Sequence, residues 1–481
     1  MKEYKLFVQR IGLVGVTNIF ISLSTLILLP ILSKNLTIQN LGVWNLFNTY
    51  LSFIPLFINL GLPYTMVRYL PVKTEKEDIK EGFYSIMFIT LFVGLIALGI
   101  LLLFSNQIAL VLFDGNTSVS ILLAIGTVIS VMSVSFFTFF RTFQQMKIYS
   151  ILQLAQTYLG VFMVAFFVYS GYQVNGAVLG YVISQFIVFL IVMAFVIHEI
   201  GFKFPKFENL REYISFGLPT VPGNFSSWLV DLSDRTIIGI FLGTAFVGYY
   251  SPGYTLGNII MMFSAPFTLL LPSLLSSYYD NNRIDEVRKH LDYSIKYFLL
   301  IAIPAVFGLS ILSKPLLNVL TTQAIAQNGY IVTPFVALGA LIFGVQGIIT
   351  QILLLEKKTK VIGSRWIAAG VLNVVLNIIL VPFFGIIAAG ITTLIAYVFV
   401  CLITSFYSLK FIKLNFDFIF ILKSISASVL MSFVLLFINP VSFVGIVATV
   451  GVCAVVYLLV ILLLKGISPD ELNFFKKMVK N

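Results

Sequence analysis

Apolar runs of about twenty residues recur along the whole chain, separated by short polar, basic or glycine- and proline-containing connections. Each run is long enough, as a helix, to cross a bilayer. The pattern predicts fourteen spans, at about 11–33, 41–65, 83–104, 119–140, 150–171, 176–197, 214–242, 246–277, 294–313, 331–355, 361–383, 386–409, 418–438 and 441–464. A segment in hydrocarbon must pair its own backbone groups, so runs of this length imply helices and an all-α polytopic membrane protein. The first run is too long for the apolar region of a secretory signal and more spans follow, so it reads as a true span. The external connections are short; the longest, 105–118 and 318–330, are too small to fold into a catalytic domain. Residues 465–481, with Ser468, Pro469 and Asp470 resembling a helix start, are expected to form a short amphipathic surface helix.

Composition sharpens the class. Of 481 residues, 59% are hydrophobic and 10% charged, which excludes a soluble globule, where about a quarter of residues are charged. The formal charge of +11 would suggest nucleic acid in a soluble protein. With the N-terminus in the cytoplasm, however, 27 of the 30 basic residues fall on cytoplasmic connections. Lys34 and Lys314 are external and Arg235 lies within a span. This is the positive-inside asymmetry, so the charge marks orientation, with both termini cytoplasmic, and no nucleic-acid partner is expected. Cys401 and Cys453 lie in apolar runs without metal-ligand spacing, so neither a disulfide nor a metal site is expected.

Internal repetition divides the chain. The second span, starting "LGVWNLFNTY", resembles the eighth, starting "VGYYSPGYTL", with Gly42 and Gly248 separated by 206 positions; Gly176 and Gly385 are 209 apart at the sixth and twelfth. Nearly equal offsets favour a duplication with shared orientation. The expected organisation is an N-lobe of spans 1 to 6 (1–197), a cytoplasmic linker (198–213), a C-lobe of spans 7 to 12 (214–409), an added helix pair (410–464) and a tail (465–481). Pro219, Pro222 and Gly223 interrupt the start of span 7.

Ionisable groups within the membrane concentrate in span 7, "SWLVDLSDR". A charge at the bilayer centre costs about 2.5–3.5 kcal/mol on the insertion scale. Asp231 and Asp234 are i, i+3 and Asp231 and Arg235 i, i+4, so the three share a helical face. One carboxylate can neutralise Arg235 while the other serves a coupling cation, H+ or Na+, or a gate; the alternative is a structural salt bridge. Arg10, Arg68, Arg141 and Arg365 sit at or near cytoplasmic span ends. A guanidinium is a planar fork suited to phosphate, and topogenic placement is the alternative for each. Asn373 and Asn377 share a face of span 11, and Gln153 and Gln156 one of span 5; each pair could meet sugar hydroxyls or join helices. Trp44, Tyr50, Tyr249, Tyr250 and Tyr254 could stack on sugar rings or form interfacial belts. Without a nucleotide motif, no organic cofactor is implied and transport would draw on an ion gradient, the membrane potential or substrate supply.

Three stretches carry a family resemblance: "LGVWNLFNTYLSFIPLFINLGLPYTMVRYL", "SFGLPTVPGNFSSWLVDLSDRTIIGIFLGTAFVGYYSPGYTLGNII" and "LNVVLNIILVPFFGIIAAGITTLIAY". Their order and spacing resemble the polysaccharide transporters of the MOP superfamily, the Wzx-type flippases, over nearly the whole chain. The resemblance implies two MATE-like six-helix lobes plus a C-terminal pair flanking a groove for a lipid tail. It implies transport, without enzymatic activity, of an undecaprenyl-pyrophosphate-linked oligosaccharide across a bacterial cytoplasmic membrane for O-antigen, lipopolysaccharide, capsule or exopolysaccharide assembly. Partners so implied are the lipid-linked sugar, membrane lipids, and polymerase and chain-length machinery. Span 1 lacks the luminal basic residue associated with lipid II flippases. The competing readings are a cation-coupled MATE-type drug exporter, for which twelve spans are usual, a lipid II flippase, and a membrane-embedded polymerase or glycosyltransferase, which would need a sizeable catalytic loop where the longest candidate, 66–82, has an ordinary charged-loop composition.

Overall fold

The computed structural model describes the backbone of residues 2–466, and the side chains within it except those of 2–11, 269, 273 and 277. The surface helix expected at 465–481 lies outside the described residues from 467 onward.

Fourteen long helices form in chain order: α1 (Lys2–Asn35), α2 (Ile38–Ile58), α3 (Lys76–Leu103), α4 (Thr117–Thr142), α5 (Met146–Tyr169), α6 (Gln173–Ile200) and α7 (Val221–Leu242) in the first half. The eighth, α8, runs from Thr244–Gly257 through a 3-10 turn at Asn258–Ile260 into Met261–Asp280. The rest are α9 (Ile284–Leu320), α10 (Val332–Leu355), α11 (Thr359–Phe384), α12 (Ile386–Ser408), α13 (Phe418–Ile438) and α14 (Phe443–Leu463). No strand occurs among the described residues. Thirteen of these helices are long and apolar enough to cross a membrane; α7, with 22 residues, is long enough but carries Asp231, Asp234 and Arg235. The protein is therefore a multi-pass, all-helical membrane protein, and the fourteenth span is the one whose charges depress its hydropathy.

Helix ends follow local chemistry. Thr37, Asn116, Asp417 and Ser442 cap α2, α4, α13 and α14, each side chain accepting a backbone N–H from the first turn. Large apolar side chains such as Phe92, Phe383, Phe437 and Leu463 stay exposed on the outer faces, as expected where the solvent is hydrocarbon.

Packing groups the chain into two compact units, one of residues 1–251 with 366–389 and the other of 252–365 with 390–481. In the first, Leu62, Phe83, Phe139, Phe140 and Val192 belong to a buried cluster. The segment 201–209 is pinned to α3. The buried Glu81 carboxylate accepts the backbone N–H groups of Lys206 and Phe207, both at 2.8 Å, and Tyr84 donates to the Gly201 carbonyl at 2.8 Å. In the second unit, Phe298, Ile348, Ile352 and Ile461 lie in one buried cluster.

The 206-residue offset has a physical meaning. A Cβ on Gly42 of α2 would strike the Thr244 carbonyl at the start of α8, and one on Gly248 of α8 would strike the Ile38 carbonyl at the start of α2. Both contacts join matched positions four residues apart, a reciprocal crossing in which each helix start rests on the other's glycine. The second expected correspondence does not share a backbone role: Gly176 is helical within α6, whereas Gly385 has φ +65° and links α11 to α12. The positive-φ glycine linking α5 to α6 is Gly171, at +87°.

Candidate functional site

The approach to α7 is built from proline and glycine. A short helix, Leu210–Gly217, turns through 3-10 geometry at Leu218–Thr220 into α7, with Pro219 and Pro222 at the first positions where their missing N–H groups cost nothing. Gly61, at φ +70°, lies so close to the Gly217 carbonyl that neither glycine has room for a side chain. From there α7 lies along α2 and the short helix Leu62–Tyr69 that follows it: Tyr64 donates to Asn224 Oδ1 at 3.1 Å, Trp228 Nε1 to Ser52 Oγ at 3.3 Å, and the Phe53 and Trp228 rings are 4.3 Å apart.

Beyond Trp228 stand the charges. Asp234 is fully buried; its Oδ1 accepts the Arg235 backbone N–H at 2.7 Å and its Oδ2 accepts the Tyr250 hydroxyl of α8. Neighbouring residues on a helix do not face one another, so the ion pair between Arg235 Nη1 and Asp234 Oδ1 is long, at 3.5 Å. The guanidinium turns back along the helix and donates to the Asp231 carbonyl at 3.2 Å. Asp231 is half-buried, the more accessible carboxylate of the two. The cluster thus holds one carboxylate fixed by a tyrosine hydroxyl and an adjoining guanidinium, and a second, half-buried carboxylate one turn before it.

Helix α11 packs on the side of α7 that carries Ser226, Leu229 and Ser233. Gly370 allows close approach to the Ser226 carbonyl and Leu229. Ser233 then donates to Asn373 Oδ1 at 3.3 Å and Asn377 to the same oxygen at 3.1 Å, with both asparagines fully buried. The Ser233–Asn373 bond joins α11 to α7, and Asn377 supports it from one turn along α11. Gln156 likewise donates to Gln185, joining α5 to α6.

The expected arginines divide. Arg68, on the short helix Leu62–Tyr69, and Arg141, in the last turn of α4, are exposed in the first unit. The Arg10 side chain lies outside the described residues. Arg365, in the second unit, is 2% exposed. Its Nη1 donates to Thr404 of α12 and its Nη2 to Thr350 of α10 at 2.8 Å, while its Nε has no hydrogen-bond partner. No carboxylate lies within salt-bridge distance of this guanidinium among the described residues. A cation buried on hydroxyls alone carries unspent capacity for an anion.

Sequence reasoning did not find Tyr250 as a carboxylate partner, nor Ser233, Thr350 and Thr404. Isolated hydroxyls have no local signature, and Thr350 and Thr404 are 15 and 39 positions from Arg365. Trp44, set down as a possible sugar platform, is 6% exposed and packs edge-on against Tyr181.

Comparison with known proteins adds the lineage. The family described as polysaccharide biosynthesis protein matches residues 7–278, and the MatE family matches 219–382. A probable low-salt glycan biosynthesis flippase of Haloferax volcanii is 25% identical over 220 residues, covering 45% of this chain and 46% of that protein, so the chain spans less than half the length of this curated relative. Among solved structures, the lipid II flippase MurJ in an inward closed conformation superposes with a TM-score of 0.76 at 16% identity, over 92% of this chain and 97% of that one. An inward-facing multidrug resistance MATE transporter of the MOP superfamily gives 0.68 at 13% identity, over 81% and 93%. Those two likenesses establish the fold alone. The match through 7–278 covers more than half of the 481 residues, including the Asp231–Arg235 cluster, and by it the chain belongs to the polysaccharide biosynthesis protein family.

Proposed function

We propose that this protein is a flippase that carries an oligosaccharide on undecaprenyl pyrophosphate from the inner to the outer leaflet of the cytoplasmic membrane by alternating access, for surface polysaccharide assembly. The observation that carries this reading is the buried, carboxylate-free guanidinium of Arg365 on Thr350 and Thr404, in a chain of a glycan-handling family. A sugar headgroup left in hydrocarbon would have polar groups unsatisfied at several kcal/mol each, so a polar path through the protein is required. An anionic pyrophosphate moving outward moves with an inside-negative potential and gains about 2.3 kcal/mol per charge per 100 mV. A cation, H+ or Na+, returning by Asp231 or Asp234 adds to that drive.

The test is a leaflet-resolved assay of a polyprenyl-pyrophosphate-linked oligosaccharide in proteoliposomes, with pH, sodium and voltage gradients imposed singly. Wild type should flip the lipid, and Arg235→Ala and Asp234→Asn should not while still reaching the membrane. Normal flipping in both variants would refute a transport role for the pair. The MatE match at 219–382 favours a second reading, a cation-coupled exporter of amphiphilic drugs. Drug efflux without lipid flipping in the same vesicles would select it.

A further inference from the structure

The second unit contains a cleft whose two parts have opposite chemistry. One part, about 360 Å³, is lined by three cations, Arg288, Lys289 and Lys296, and three carboxylates, Asp285, Asp292 and Asp417. The other, about 320 Å³, is lined without polar surface by residues including Ile303, Val306, Leu341, Val345 and Ile425 of α9, α10 and α13. Ile295, Leu299, Phe416 and Ile421 line both, so the polar part continues into the apolar one.

Its dimensions fit a lipid of one leaflet. The charged residues on α9 occupy its first four turns, and the apolar wall from Ile295 to Val306 runs about 16 Å at 1.5 Å per residue. Half of the ~30 Å hydrocarbon core is about 15 Å. A polyprenyl chain long enough to cross the bilayer would overrun such a groove. Charge then selects the headgroup. The six ionised groups sum to zero, and the carboxylates repel a pyrophosphate. Asp292 Oδ1 accepts the Asn415 backbone N–H at 3.0 Å, which fixes the side chain, while its second oxygen accepts no hydrogen bond among the described residues and the carboxylate feels the charge of Arg288. Lys296 Nζ stands 5.3 Å from the centroid of the Phe420 ring at the start of α13.

We propose that this cleft binds a phospholipid with a phosphoethanolamine headgroup, its phosphate facing Arg288, Lys289 and Lys296, its ammonium donating to Asp292, and one acyl chain in the apolar part. The binding is independent of the transport reading and is measured without it. The purified full-length chain in detergent is exposed to equimolar phosphatidylethanolamine, phosphatidylglycerol and phosphatidylcholine, and retained lipid is read by native mass spectrometry. Wild type should retain phosphatidylethanolamine about tenfold over the other two, one hydrogen-bonded ion contact being enough for that ratio. Asp292→Asn keeps an oxygen for the Asn415 N–H but leaves the lining cationic, so preference should move to phosphatidylglycerol. Ile421→Trp should block the junction and lower retention of all three lipids.

Three results would overturn the assignment. Wild-type retention of phosphatidylglycerol equal to or above that of phosphatidylethanolamine would show an anionic-lipid patch. Displacement of phosphatidylethanolamine by equimolar polyprenyl diphosphate would give the groove to the transported lipid. An unchanged preference in Asp292→Asn would remove the headgroup contact, whatever the behaviour of Ile421→Trp.

Discussion

Replacing Arg365 with methionine should make the protein more stable and less active. The guanidinium is 2% exposed, and desolvating such an ion costs several kcal/mol even after relaxation. Two hydrogen bonds to hydroxyls return about 1.5–3 kcal/mol each, and the partnerless Nε takes back about 1–3 kcal/mol. No carboxylate supplies a Coulombic return. Methionine fills a comparable volume without a charge. Thr404 and Thr350 already donate to the Val400 and Gln346 carbonyls one turn back, at 2.5 and 2.7 Å, so no hydroxyl proton is orphaned by the substitution. The balance predicts a gain of about 1–4 kcal/mol, the range for exchanging buried ionic groups for apolar ones. Thermal unfolding in detergent, followed by tryptophan fluorescence, measures it. The same experiment with added pyrophosphate should raise the wild-type midpoint, by binding linkage, and leave that of Arg365→Met where it was. A lower midpoint in Arg365→Met together with normal lipid flipping would show that the guanidinium is a structural clamp, and the phosphate reasoning would fail.

Three further outcomes follow from the packing. Gly248→Val and Gly42→Val each drive a Cβ into a backbone carbonyl and should prevent accumulation of folded protein, whereas Gly308→Val, with nothing within 4 Å, should be tolerated; equal yields would refute the reciprocal crossing. Tyr250→Phe removes a donor from the buried Asp234 carboxylate and should destabilise by about 1–3 kcal/mol, read as a lower thermal midpoint, an effect that an unchanged midpoint would exclude. Glu81→Ala strips the acceptor from two backbone N–H groups that hold Phe207 at φ +60°, at a cost of about 1–3 kcal/mol. Limited proteolysis should then cut within 201–209 faster than in wild type.

The spans were legible because each is a local decision. A segment in hydrocarbon pairs its own backbone, so its apolar run reveals it without reference to any neighbour. The exception is instructive: Asp231, Asp234 and Arg235 lower the hydropathy of α7, yet its apolar run at 214–242 is still long enough to read as a span. Gly42 and Gly248 each face the backbone carbonyl at the start of the other's helix, whereas Gly176 and Gly385 share a local pattern of small residues but not a conformation.

Sequence by itself determined that the protein lives in a bilayer, how many helices it has, and that the charges of α7 and a set of arginines are its unusual groups. Only the tertiary structure decided what those groups meet. It seats Asp234 on Tyr250, ties Ser233 to Asn373, leaves Arg68 and Arg141 exposed, and buries Arg365 between Thr350 and Thr404 with an N–H to spare. The physical reason is range. Hydropathy sums over consecutive residues, but a hydrogen bond acts within about 3 Å between atoms that the chain brings together from anywhere along its length.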